Sequence, residues 1–546
     1  MLTALPADFY YLSNFQSALA WIGERYRDLL SDAEQAFIAQ FAELELAAQA
    51  LLVRLLMRKG PHFRASKLSY AEIGAIRAPA ARLLALGWLS DDAPLAAAEV
   101  VALLRKDEAL AHLPLAERRS SLKKSQLLEL LTASAPGHQP FAAWCPGLAD
   151  SLYSLTISDL CQRLRLLFFG NLSQDWSEFV LADLGVLRYE AVAITPDSRA
   201  FRCREDLEHY LFLRELRLRF EAGEAIDALL ADLETFASAN PYLQSRHAKL
   251  LYRIAQHQER QAELEQALDL YRRSDYGEAR WRQIRVLEKL ERHAEARDLA
   301  LQVGAAPRHE QEAQQVQRAL PRLQRKLGLP AAKRRAAVAE TRLELCLDRP
   351  EAGGVEYAVR EHLHHDDAPV HYVENGLICS LFGLLCWEAI FAPLPGAFFH
   401  PFQGGPADLL SPDFHARREA LFARCLARLE SDEYRQHIRA LYRAKFGTQS
   451  PFVYWALLGE ELLEQALACI PAAHLKLCCQ RLLRDIRANR AGMPDLIQFY
   501  PGEQRYRMIE VKGPGDRLQD NQKRWLAFCA EQGLPVEVCY VQWTRP

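Results

Sequence analysis

The stretch GMPDLIQFYPGEQRYRMIEVKG, residues 492–513, decides how the C-terminal part of the chain folds. DLIQFY and RYRMIEVKG are short runs rich in strand-forming residues. The turn former Pro501-Gly502 separates them, so the spacing predicts two strands folded back on each other. Side chains two positions apart on a strand share a face, so Glu510 and Lys512 project together. The fold-back carries Asp495 toward the same cleft. Two carboxylates and one ammonium then converge. Carboxylate oxygens suit a hard divalent ion such as Mg2+ or Mn2+. The Val511 carbonyl offers a further oxygen, and Lys512 can orient a water or neutralise charge on a phosphate. An ion held there supplies the Lewis acidity needed for phosphodiester hydrolysis.

The same letters also fit a plainer reading, an acid at a strand start and a Glu–Lys pair on a solvated face. Apolar neighbours (Met508, Ile509, Val511) and the turn Gly513-Pro514-Gly515 weigh against it, because such a turn permits close backbone approach to a ligand. Beyond it, Asp516 is expected to cap a helix. Arg517 and Gln522 either reach the substrate or lie on the surface.

Working outward, 546 residues exceed one compact core and imply three or four domains. The formal net charge of -3 leaves any nucleic-acid footprint to local clusters. No apolar run is long enough for a membrane span, and MLTALPADFYYLSNF does not read as a signal peptide. The twelve cysteines form no CxxC pair and are expected to be reduced core residues of a cytoplasmic protein, nucleoid-associated if bacterial.

Helical periodicity marks residues 1–92. Within it, residues 46–71 carry Arg54, Arg58, Lys59, Arg64 and Lys67 with no acid, the best candidates for phosphate contacts. Residues 93–150 form a second small helical unit, in which Arg118, Arg119, Lys123 and Lys124 make a weaker basic patch. Residues 151–340 begin with possible short strands (VLRYEAVAI, 186–194) and continue as helix after helix. LLYRIAQHQERQAELEQALDLYRRS and ARWRQIRVLEKLERHAEARDLALQV resemble each other, as in tetratricopeptide-type hairpin repeats. Residues 341–546 hold an apolar helix after Glu374 and the terminal α/β unit. HLHHDDAPVH (362–371) gathers metal-ligating residue types without regular ligand spacing.

GMPDLIQFY…YRMIEVKGPGDRLQDNQKRWL resembles the VRR-NUC branch of the PD-(D/E)xK nuclease superfamily, including its EVKGP-x-DRL-x-x-x-Q-x-x-W pattern. YVENGLICSLFGLLCWEAIF (372–391), FHPFQGGPADLLSPDF (399–414), YYLSNF (10–15), LLVRLLMRKGPHFRASKLSY (51–70) and LRKDEALAHLPLAERRSSLKKSQLLELL (104–131) extend the resemblance over nearly the whole chain. The sequence is similar to the Fanconi-associated nuclease family, as a bacterial-type member lacking the N-terminal zinc finger of animal members.

The resemblance implies a mostly α, multidomain fold: a helical DNA-binding N-terminal region, a SAP-type unit, tetratricopeptide-like repeats and a C-terminal α/β PD-(D/E)xK domain. It implies metal binding by Glu374, Asp495, Glu510 and the Val511 carbonyl, and catalysis by Lys512, with Arg517 and Gln522 as further candidates. By itself Glu374 reads as a helix cap or surface acid. The implied activity is that of a phosphodiester hydrolase, phosphodiesterase I-like. It would act as a 5′ flap endonuclease and 5′-to-3′ exonuclease in DNA repair, including interstrand crosslink unhooking. Its partner would be branched or flapped double-stranded DNA, with no membrane. A junction resolvase on the same core, or a non-catalytic DNA-binding repeat scaffold, remain the alternatives.

Overall fold

A computed structural model describes residues 9–115, 118–134, 137–176, 187–330 and 340–544. The chain divides into two compact units, one formed by the chain up to Leu187 with Phe201–Leu207, the other by the remainder.

The first unit opens with helices Tyr10–Arg25, Asp32–Ala42, Leu46–Leu56 and Arg77–Ala85. A capping box fixes the start of the second: Ser31 accepts from the Glu34 N–H, and Glu34 accepts from the Ser31 N–H. The segment KGPHFRAS, which lies in the stretch read as helical by its periodicity, contains a strand. His62–Arg64 pairs antiparallel with Leu152–Leu155, which also pairs with Leu89–Ser90. The partner strand lies far along the chain, which local pattern does not reveal. Between these strands, helices Ala97–Leu103, Lys106–His112 and Lys124–Ser134 close around Leu95, Val100, Leu127, Leu131 and Trp144.

This packing redirects two of the expected phosphate contacts. Arg64 is 5% exposed. It donates to Glu108 at 2.6 and 3.0 Å and to Asp150 at 2.8 Å. Arg54 donates to Glu72 and lies 3.9 Å from the Tyr11 ring centroid. Arg118 caps the carbonyls of Ala111 and Leu113. Arg58, Lys59, Lys67, Lys123 and Lys124 remain exposed.

In the second unit, VLRYEAVAI forms no strand among its described residues; Arg188 makes one isolated bridge to Thr448. Helices Ile226–Glu234, Pro241–Arg260, Leu264–Arg273, Ala279–Lys289, His293–Ala305 and Glu310–Lys326 share one apolar core. The two similar sequence segments form equivalent hairpins, each turning through a left-handed residue, Ala262 and Glu291. The connector at 331–338 lies outside the described residues.

The remainder is organised by a five-stranded sheet in the order Arg342–Leu347, Val536–Trp543, Arg505–Lys512, Leu496–Tyr500, Val370–Tyr372. The first two pairings are parallel and the last two antiparallel. Helix Val355–Leu363 covers the face bearing Leu496, Ile509 and Val511. Alternation turns Met508, Glu510 and Lys512 to the opposite face.

The helix Gly376–Leu385 is buried along its whole length. It packs so tightly that a Cβ on Gly383 would lie 2.8 Å from Phe452 Cβ. Ten cysteines are buried, whereas Cys203 and Cys346 are exposed, contrary to the expectation of twelve core residues.

Arg64 joins strand His62–Arg64 to two distant carboxylates in the same unit. Arg64→Ala is expected to destabilise that unit by about 1–3 kcal/mol, because it strands the half-buried carboxylates of Glu108 and Asp150. Urea unfolding monitored by tryptophan fluorescence reads this directly. A loss below about 1 kcal/mol would show that the pairing is dispensable.

Candidate metal centre

The antiparallel register that pairs Leu496 with Ile509 sets Asp495 beside Glu510. Asp495 is a junction of three chain segments. Its backbone carbonyl accepts from the N–H groups of Val373 (2.9 Å) and Glu374 (3.0 Å). Its Oδ2 accepts from the Val511 N–H at 2.8 Å. Glu374 therefore arrives beside Asp495 through the Val370–Tyr372 strand, although more than a hundred residues separate them in sequence.

Gly492 admits the close approach of helix Asp520–Gln532: its φ is +91°, and a Cβ there would lie 2.7 Å from the Asn521 backbone carbon.

Asp495 is 9% exposed, Lys512 8% and Glu510 0%. Neither Glu510 oxygen has an aligned hydrogen-bond donor among the described residues. Lys512 Nζ approaches Oε1 to 2.6 Å as an ion pair. Burial pushes Glu510 up to about 7, the Asp495 charge adds to this, and Lys512 opposes it. Burial likewise pushes Asp495 up to about 6; the Val511 N–H and Lys512 oppose it, while Glu356 and Glu374 add.

Buried, under-bonded carboxylates crowded together carry a high cost as anions. A divalent cation would remove that cost, so the donor set fits a hard ion held by carboxylates.

Asp495, Glu510 and Lys512 are thus brought together, and the fields of Glu374 reach both acids. Arg517 is exposed. Gln522 uses its Oε1 to accept from the Gln519 N–H. That bond caps helix Asp520–Gln532, so the helix starts later than the sequence suggested. Asp516 instead closes the preceding turn by accepting from the Gly513 N–H at 3.0 Å.

Three residues near the acids escaped the sequence reading. Glu356, on the helix covering the sheet, acts electrostatically on Asp495. Tyr372 donates to Glu374 Oε2 at 2.5 Å. That bond, with burial, pushes the tyrosine hydroxyl well above its ordinary range, so it stays a donor. Asn375 donates to Glu374 Oε1 at 3.1 Å.

In HLHHDDAPVH, His364 Nδ1 accepts from the Val370 N–H and His371 Nε2 meets Gln465, so these two rings are engaged separately. A cleft of about 790 Å3 lies between the repeat helices and residues 407–415 and 483–488. None of the candidate acids lines it.

The raised carboxyl values set a sign. A glutamate that titrates near 4.5 unfolded and about 7 folded costs stability as pH rises across that interval. Glu510→Gln should therefore stabilise the metal-free chain by about 1–3 kcal/mol at pH 8, with little effect at pH 4. Denaturant unfolding in EDTA at both pH values measures it. Equal effects at the two pH values, or destabilisation at pH 8, would show that ionised Glu510 does not cost the metal-free fold stability.

Three family models match the chain: FAN1, HTH domain over residues 9–90, the Fanconi anemia-associated nuclease SAP domain over 94–144, and the VRR-NUC domain over 429–543. The Fanconi-associated nuclease 1 homolog of Pseudomonas aeruginosa is 58% identical over 541 residues, spanning 99% of this chain and 97% of the relative. The homolog from Oryza sativa is 25% identical over 98% of this chain and 63% of its own greater length. A crystal structure of paFAN1 bound to 2nt 5′ flap DNA with gap superposes with a TM-score of 0.88 at 58% identity, covering all of both chains. From its N-terminal helices to the sheet that carries Asp495 and Glu510, the chain belongs to the Fanconi-associated nuclease family.

Proposed function

We propose that this chain is a structure-selective, divalent-metal-dependent DNA nuclease that cuts at 5′ flaps and branches and trims DNA 5′-to-3′. Its place would be in DNA repair, including interstrand crosslink unhooking. The observation that carries the chemistry is the buried pair Asp495 and Glu510, whose Glu510 oxygens lack aligned donors. The flap preference is supported by the paFAN1 relative, solved with 5′ flap DNA. Among the described residues no single helix is long and apolar enough to cross a membrane.

In this reading Glu374, Asp495, Glu510 and the Val511 carbonyl hold Mg2+ or Mn2+. The ion supplies Lewis acidity to the scissile phosphate and its leaving oxygen. The Asp495–Val511 hydrogen bond keeps one carboxylate oxygen fixed and leaves the other for coordination. Lys512, tethered against Glu510, presents an ammonium that orients water and offsets charge on the phosphate. Arg517 is exposed beside the turn that follows and serves as a phosphate contact. Gln522 serves as a cap that sets the helix behind that turn.

Asp495→Ala is expected to lower cleavage of a labelled 5′ flap by at least about a thousandfold, while flap binding in Ca2+ is retained. Unchanged cleavage by the variant would assign the activity elsewhere. Paired symmetric cuts confined to a four-way junction would favour a resolvase.

Of the basic residues, Arg58, Lys59, Lys67, Lys123 and Lys124 are the proposed phosphate contacts. Lys59→Ala and Lys67→Ala should each flatten the log Kd against log salt slope by about one. Titration of flap DNA from 50 to 200 mM salt, followed by anisotropy, tests this. Slopes equal to that of the parent protein would remove these lysines from the interface.

A further inference from the structure

Glu374 sits on an exposed turn and has three rotatable bonds, yet a metal ligand needs a fixed carboxylate. Both of its oxygens are held. Oε2 accepts from the Tyr372 hydroxyl at 2.5 Å, and Oε1 accepts from Asn375 Nδ2 at 3.1 Å.

Asn375 has a second attachment. Its Oδ1 accepts from the Met493 N–H at 3.1 Å, two residues before Asp495. The amide side chain thus spans from the carboxylate of one candidate ligand to the backbone leading into another. The backbone N–H groups of Val373 and Glu374 join the same two segments by binding the Asp495 carbonyl.

Elsewhere an asparagine before a buried helix would serve as its cap. Here the Asn375 side chain makes no cap hydrogen bond to the helix Gly376–Leu385. Its donor and acceptor are both spent on the two ligand segments.

We infer that Asn375 is a positioning residue that, with Tyr372, clamps the Glu374 carboxylate in register with Asp495 and so sets the affinity of the divalent-ion site. The inference rests on the reading of Glu374 as a ligand. The clamp acts through two hydrogen bonds to a charged acceptor, the stronger kind. Loss of such an outer partner weakens metal binding by about 10–100-fold.

The test is calorimetric titration of the full chain with Mn2+, without DNA, for the parent, Asn375→Ala, Tyr372→Phe, Glu374→Gln and the double variant Glu374→Gln/Asn375→Ala. The expected result is a Kd raised about tenfold by Asn375→Ala and raised in the same direction by Tyr372→Phe. In the Glu374→Gln background, Asn375→Ala should add less than about twofold, because the carboxylate it holds is already gone. An equal loss in both backgrounds would overturn the clamp and leave Asn375 acting only through Met493. An unchanged Kd for Asn375→Ala alone would overturn it as well. An unchanged Kd for Glu374→Gln would remove Glu374 from the ligand set, and the clamp with it.

Discussion

The C-terminal domain depends on the hydrogen bonds that gather at Asp495. Its carbonyl receives the Val373 and Glu374 N–H groups, and its carboxylate receives the Val511 N–H. These bonds hold three neighbouring strands in one register. A slip of one residue would turn Glu510 and Lys512 to the other face of the sheet. The same bonds bring Glu374 to the acids, across a long helical insertion that begins at Gly376. Fold and site are therefore specified together: the register that buries Ile509 and Val511 against helix Val355–Leu363 is the register that assembles the carboxylates.

That assembly is expensive. Burial disfavours the ionised forms of Asp495 and Glu510, and the charge of Glu374 adds to the cost at both. Natural folds tolerate such strain where function needs it and offset it elsewhere. Here the offset comes from ordinary apolar packing. The helix Gly376–Leu385 is wholly buried, and Trp525 anchors the helix Asp520–Gln532 by donating to the Asn489 carbonyl at 3.0 Å. Arg318 and Arg524 of neighbouring elements add further ties, to Asp520 and to Gln314. The repeat helix Glu310–Lys326 thus braces the helix that follows the site.

Much of this was legible in the sequence where the information is local. The two strands, the turn between them and the shared face of Glu510 and Lys512 follow from a period of two. The helical hairpins follow from their repeated apolar spacing. What was not legible depends on distant partners. Strand His62–Arg64 needs Leu152–Leu155. Arg64 reads as a free cation until Glu108 and Asp150 are seen around it. Glu374 is an unremarkable acid until the Asp495 carbonyl binds its backbone; only the family resemblance named it. The cap of helix Asp520–Gln532 was misplaced because Asp516 has good capping chemistry but closes a turn with Gly513 instead.

The proposed divalent-ion site at these carboxylates can be tested directly. Anomalous diffraction from crystals grown with Mn2+, collected near the manganese edge, addresses it without reference to turnover. A peak is expected within about 2–2.5 Å of carboxylate oxygens of Asp495 and Glu510 and of the Val511 carbonyl, with Glu374 in the same coordination sphere. Crystals with manganese in the solvent, full order at these residues and no peak there would contradict it.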